Sequence, residues 1–207
     1  MAVLPITILG ANVLRQVTTP VAEVTDELRT LVANMFETMR AADGVGLAAP
    51  QVGRTERLCV VEVGDVSAAL INPEIIAREG KIRWEEGCLS IPEIFGWVER
   101  SAYVKVRAIG LDGQPFELEG RELLAVCIQH EIDHLDGKLF IDHLSFLNRR
   151  KALKEWDEEK VKYPDLLRVL KPGDTDEPPG RKTGEPSGRK TEDGRSAQAG
   201  TEHHDSL

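Results

Sequence analysis

Glu122-Leu-Leu-Ala-Val-Cys-Ile-Gln-His-Glu-Ile-Asp-His-Leu135 is apolar on nearly every side, which for a helix means burial all round rather than on one face. His130 and His134 stand four residues apart, so a helix brings both imidazoles to one face, within reach of a single metal ion. Glu131 lies one step round, where its carboxylate can take a proton from a water on that ion. So short a pattern also arises by accident, and the plain alternative is a helix with two core-facing or solvated histidines. The flanking Ala125, Val126, Cys127, Ile128 and Ile132 argue for the interior, where polar side chains without partners are costly.

A catalytic metal needs a third protein ligand and one open position. The extended zinc-protease pattern would place Gly at 137 and His at 140; Gly137 is there, but residue 140 is Phe140. A second protease class takes a glutamate from a following helix, for which Glu155 stands in the right region without a supporting motif. Upstream, Glu86-Gly-Cys-Leu-Ser90 sets Cys88 after a glycine at the end of a strand-like run. One thiolate with two imidazoles makes a three-ligand site whose fourth place holds water. Cys59 and Cys127 sit in apolar runs and read as buried structural thiols. A third motif, Gly44-Val-Gly-Leu-Ala-Ala-Pro-Gln-Val-Gly53, offers small residues that let backbone approach a ligand. Its Gln51 amide can donate to a developing oxyanion. No Gly-Lys-Ser/Thr ending follows, so it is not a phosphate loop.

Around these motifs, Thr25 can cap a helix whose first turn carries Asp26 and Glu27, with Leu28, Leu31, Val32, Met35, Phe36 and Met39 on one face. Strand-like runs follow at Leu58–Val63, Ala69–Asn72, Ile75–Trp84 and Tyr103–Ile109, with Phe116–Leu118 weaker; Gly64, Pro73, Gly80 and Asp112-Gly113 punctuate them. An amphipathic, highly charged helix covers about Ser145–Lys162, with Arg149, Arg150, Lys151 and Lys154 read as a solvated face. Helix, strands, then helices is an α+β order. The domain spans 1–170. From Lys171 the chain has four prolines and six glycines in 37 residues and few apolar side chains, so 171–207 reads as a disordered low-complexity tail. A net charge of −9 argues against nucleic-acid binding, and no apolar run is long enough to span a membrane. The first ten residues lack a basic n-region and a cleavage site, and the three cysteines are an odd number at unrelated spacings. Both features point to the reducing cytoplasm.

Taken together, Gly44-Val-Gly-Leu-Ala-Ala-Pro-Gln51, Glu86-Gly-Cys-Leu-Ser90 and Gln129-His-Glu-Ile-Asp-His134 resemble, in order and spacing, the three signature motifs of bacterial peptide deformylases. The resemblance runs from about Leu4 to Asn148. It implies antiparallel sheets packed around the central metal-binding helix, with a C-terminal helix behind. It further implies a hydrolase that removes the N-formyl group from the formylmethionine of newly made proteins and releases formate. By motif position, Cys88, His130 and His134 would hold the metal and Glu131 would act as general base and then acid. Gln51 and the backbone N–H of Leu89 would stabilise the oxyanion. Substrate would lie extended along Val45, Gly46 and Gly87, its methionine side chain in a pocket lined by Val126, Cys127 and Trp84. The resemblance implies ferrous iron, with Zn2+, Ni2+ or Co2+ as substitutes, and leaves room for a weak ribosome contact through the C-terminal helix. Phe95 and Trp97 follow the cysteine motif where many relatives are more polar, and either rim the groove or pack inward. His143 falls outside the motifs and reads as a structural or surface residue, while His203-His204 in the tail suggests metal scavenging at most. An endopeptidase using the same helix and a binding module that has lost the chemistry are the competing readings.

Overall fold

The structure, a computed structural model, describes residues 2–170. The disordered tail expected at 171–207, with its two histidines, lies outside the described residues. In chain order come β1 (Ile6–Thr7), α1 (Asp26–Ala41), β2 (Gly46–Ala48), a 3-10 turn over Ala49–Val52, β3 (Leu58–Val63), β4 (Val66–Glu79) and β5 (Ile82–Cys88). They are followed by β6 (Ile91–Arg100), β7 (Tyr103–Ile109), β8 (Pro115–Arg121), α2 (Glu122–Leu135), α3 (Phe146–Glu159) and β9 (Leu167–Arg168). Every strand pairing within the sheets is antiparallel, so the α+β expectation holds. None of the described helices is long and apolar enough to cross a membrane.

A five-stranded sheet in the order β2-β3-β4-β7-β8 carries both long packing helices, one on each face. Strand alternation in β3 explains this: Leu58 and Val60 face α1, whereas Cys59 and Val61 face α2. Leu28, Leu31, Val32, Met35 and Met39 of α1 close one layer. Leu124, Ala125, Cys127, Ile128, Ile132 and Leu135 of α2 close the other against Val104, Val106 and Ala108 of β7. A third cluster joins β1, β6, α3 and the segment Leu139–Leu144 around Phe140 and Trp156. The hairpin β5–β6 is a separate two-stranded sheet that leans on this third cluster.

Helix boundaries follow their local chemistry. The Thr25 side chain accepts from the Leu28 N–H, and Ser145 accepts likewise from Asn148. At the end of α2, the Thr18 N–H and hydroxyl both donate to the Leu135 carbonyl, each at 2.9 Å. Gly137 then turns the chain at φ 71°, with the Arg15 carbonyl oxygen 2.7 Å from where a Cβ would stand. The run expected over Ile75–Trp84 is two strands, because Gly80 turns at φ 62° between β4 and β5. Pro73 does not interrupt β4: the register against β7 shifts between Ile71 and Glu74, and that irregularity absorbs the missing donor.

Candidate active site

Three segments that are far apart in sequence meet at the buried face of α2. His134 is 1% exposed and Glu131 4%. The β5–β6 turn brings Cys88 over this face: Cys88 pairs with Ile91 after a register shift at Gly87, so Leu89 and Ser90 form the tight connection. Cys88 Sγ then lies 3.2 Å from His134 Nε2. The rings of His130 and His134 meet edge-on with centroids 5.0 Å apart. One ligand atom each from Cys88, His130 and His134 falls within 4.8 Å of the others, and no other such group of three is found among the described residues. Glu155, the alternative third ligand, instead pairs with Lys151 on α3.

The donor set suits a metal ion. Beside the trio, Glu131 Oε2 is a buried polar atom without a hydrogen-bond partner, an arrangement that proteins rarely tolerate; His134 Nδ1, on the side of the ring away from Cys88, has none either. His130 Nδ1–H donates to Glu86 Oε2 at 2.8 Å, which fixes the tautomer and leaves Nε2 for a ligand. Burial disfavours charge on His130, but the Cys88 sulfur and the Glu86 carboxylate outweigh it and raise its pKa well above the ordinary histidine value. A positive charge is therefore favoured at that spot, and a metal cation can take the place of the proton. Burial, then the neighbouring His130, hold His134 well below its ordinary range, in the neutral form that ligates. Burial pushes the Glu131 carboxyl up to about 7, where it can exchange protons near neutrality.

Behind the trio lies a charged layer that the motifs alone do not reveal. The Arg100 guanidinium, 6% exposed, donates from Nε to Glu86 Oε1 at 2.7 Å and from Nη2 to Glu86 Oε2 at 3.0 Å. Its Nη1 pairs with Asp133, which also accepts from His143 Nε2 at 2.7 Å. Burial opposes ionisation of Glu86, yet His130 and Arg100 hold it down at about 2. Asp133 is likewise held at about 2 by His143 and Arg100 against burial. The signal in sequence was slight: Glu86 is two residues from Cys88 on the inward face of β5, and Asp133 lies inside the histidine motif.

Gln51, 1% exposed, is held by the Ala48 N–H donating to its Oε1 at 2.8 Å. Its Nε2 reaches Ser90 Oγ at 3.3 Å and Cys88 Sγ at 3.6 Å, so the amide N–H group faces the trio. Leu89 follows Cys88 directly, and its side chain packs so closely on Gly44 that a Cβ there would stand 2.8 Å from Leu89 Cδ1. Gly46 lies against Glu131 and Cys127 Sγ, and Cys127 donates to the Val45 carbonyl at 3.3 Å. β2, which begins at Gly46, is an edge strand of the five-stranded sheet. Gly87 lies under the ring of Phe95, whose Cε1 is 2.8 Å from a built Cβ. Phe95 and Trp97 are 54% and 51% exposed, so they rim the hairpin rather than pack inward. Of the residues expected to line a methionine pocket, Cys127 touches Val45 and Gly46, Val126 is buried on α2, and Trp84 pairs with Val98 in the middle of β5. Cys59 and Cys127 are buried thiols whose pKa burial drives well above the ordinary value.

Residues 3–150 match the family model for polypeptide deformylase. Peptide deformylase of Hydrogenovibrio crunogenus is 56% identical over 149 residues, covering 70% of this chain and 88% of that protein. The enzyme of Acinetobacter baumannii is 48% identical over 172 residues, covering 78% of this chain and 98% of that one. Among solved structures, peptide deformylase from Legionella pneumophila superposes with a TM-score of 0.75 at 43% identity, covering 78% of this chain and 97% of that one. The one from Synechococcus elongatus, in complex with actinonin, gives 0.71 at 42% identity, covering 74% of this chain and 86% of that one. The chain therefore belongs to the polypeptide deformylase family, metalloenzymes that hydrolyse the N-formyl group from newly made polypeptides.

Proposed function

We propose that this chain uses one divalent ion, ferrous iron in the cell, to release formate from the N-formylmethionine of nascent polypeptides in the cytoplasm. The observation that carries this reading is the convergence of Cys88, His130 and His134 beside the buried Glu131 carboxylate, whose Oε2 has no hydrogen-bond partner. The ligands in this reading are Cys88 Sγ, His130 Nε2 and His134 Nε2. When bound, the ion supplies Lewis acidity, making water nucleophilic near neutral pH and polarising the formyl carbonyl. A thiolate with two imidazoles accepts several first-row metals, so Zn2+, Ni2+ and Co2+ are serviceable substitutes.

The remaining work falls to the chain's own groups. Glu131 takes the proton of the attacking water and returns it to the amine nitrogen as the C–N bond breaks; a carboxyl titrating near 7 can do both. Gln51 Nε2–H and the Leu89 backbone N–H stabilise the negative charge that builds on the formyl oxygen. The peptide adds as an extended strand at the β2 edge, with Val45 and Gly46 on one side and Gly87 on the other. A weak contact between the ribosome and the basic stretch of α3 belongs to the same reading.

The test is formate release from a formyl-Met tripeptide by protein loaded anaerobically with iron or nickel. Wild type releases formate. Glu131→Gln keeps its metal but loses at least ~10²-fold in rate, the low end of what general acid–base catalysis contributes. Turnover by that variant at the wild-type rate would sink the role of Glu131. Cys88→Ser loses the metal; if it kept the metal and cleaved internal peptide bonds, the endopeptidase reading would replace this one.

A further inference from the structure

We propose that His143, a half-exposed imidazole outside the three motifs, is a positioning residue for the hydrolysis, acting through Asp133 and Arg100 on the Glu86–His130 pair. The proposal rests on the reading of His130 as a metal ligand. Its basis is an unbroken line of contacts from the surface to the site. His143 Nε2–H donates to Asp133 Oδ2 at 2.7 Å, and the same oxygen pairs with Arg100 Nη1. Arg100 forks onto Glu86 at 2.7 and 3.0 Å, and Glu86 accepts from His130 Nδ1–H at 2.8 Å.

The arrangement is a competition for one buried cation. Arg100 faces two carboxylates, Glu86 and Asp133, and its side chain is only 5% exposed, so water is a poor substitute for either partner. Asp133 stands on α2 between the two histidines, Glu86 on β5 and Arg100 on β6, so each carboxylate pulls the guanidinium towards a different element. An N–H from His143 uses part of the acceptor capacity of Asp133. The guanidinium then stays forked on Glu86, which in turn holds the His130 ring with Nε2 towards Cys88 and His134. Without the imidazole, Asp133 draws Arg100 away from Glu86, and the hydrogen bond orienting His130 loosens. The short turn Phe140–His143, anchored in the core by buried Phe140 and Ile141, fixes the position of the donor.

Direct partners of metal-ligating histidines are worth about 10- to 100-fold in metal affinity, so a group acting through two further contacts should be worth less, roughly 3- to 10-fold. Cobalt-loaded wild type, His143→Ala and His143→Gln are compared by the rate of cobalt loss to a chelator and by the position of the exchangeable His130 Nδ1–H proton resonance. His143→Ala should lose cobalt roughly 3- to 10-fold faster and shift the resonance, and formate release should fall in step. His143→Gln, whose amide can still donate to Asp133, should recover both readouts. If His143→Ala leaves cobalt loss and the resonance unchanged, His143 is a surface residue and the proposal fails. It also fails if Gln gives no recovery, because the alanine effect then reflects lost packing. A wild type that holds no cobalt, or a Cys88→Ser variant that holds it as well as wild type, overturns the ligand assignment itself and this proposal with it.

Discussion

A side chain at position 46 has no free space. A Cβ there would collide with the Glu131 carboxylate and stand 2.8 Å from Cys127 Sγ, and both neighbours are buried on the rigid face of α2. The strand can shift only by disturbing its register with β3, so the carboxylate is what moves. Gly46→Ala should therefore fold and bind metal but lose about 10²-fold in kcat, the scale expected when a catalytic group is misplaced by about an ångström. An alanine variant with wild-type kcat would show that Glu131 has slack that this packing denies. In the proposed mechanism the same carboxyl sets the acid side of the pH profile. Burial, with the charges of Glu86 and Asp133 set against those of His130 and Arg100, holds it at about 7, and a cation held by Cys88, His130 and His134 would pull it lower. Glu131 must be ionised to accept a proton, so kcat/KM should fall as pH drops through a midpoint no higher than about 7. A limb centred clearly above 7 would tie the rate to a different group.

At the scale of elements, β5, β6 and α2 are joined by buried charge: Glu86, Arg100 and Asp133 supply one group each. Removing the cation alone leaves two carboxylates in the interior, so Arg100→Met should cost about 3–5 kcal/mol by denaturant unfolding. The depressed Glu86 pKa gives a second measurement. A carboxylate held at about 2 when folded and near the ordinary glutamate value when unfolded stabilises the fold in full above about pH 5. That contribution, roughly 3 kcal/mol, is lost as pH falls towards 2. With chelator present to remove any metal effect, wild-type stability should drop across this window more steeply than that of Glu86→Gln. Parallel acid limbs would mean that Glu86 is not held ionised by these partners. Little of this layer could be read from the sequence beyond the nearness of Glu86 and Asp133 to the motif residues, because a charge at 86 or 100 reads as solvated until the hairpin turns it inward. β6 itself was missed: Pro92 and Gly96 look like breakers, yet Gly96 lies under Leu144 and Phe140, where a Cβ would stand 2.8 Å from Leu144 Cδ2. α1, β3, β7 and α2 were legible because capping chemistry and apolar periodicity act within each segment. Cys88, His130, His134 and Gln51, which the motifs single out by their spacing, are brought together by the fold.

At the scale of the whole molecule, the matched family region ends at residue 150, but the described fold does not. Trp156 of α3 is 4% exposed within the third core cluster and stacks on Tyr163 with ring centroids 6.2 Å apart. Beyond it, β9 pairs with β1, Ile6 with Arg168 and Thr7 with Leu167, so the two ends of the described chain close on each other. Strands of two residues carry no periodicity, and their partners are far apart in sequence, so local reading could not find this closure. Its consequence reaches the site, because the Leu9 N–H just after β1 donates to the Ser90 carbonyl in the turn beyond Cys88. Trp156→Ala should cost about 3–5 kcal/mol, the usual range for removing a buried tryptophan side chain. A chain ending at residue 150 should lose more, since the Trp156 packing, the Tyr163 stacking and the β1–β9 pairing go together. A chain ending at residue 170 keeps all three, and its thermal midpoint should lie above that of the 150-residue chain. Equal midpoints for the 150-residue and 170-residue chains would show that the closure adds nothing to stability, and that the matched region holds the Cys88 turn in place by itself.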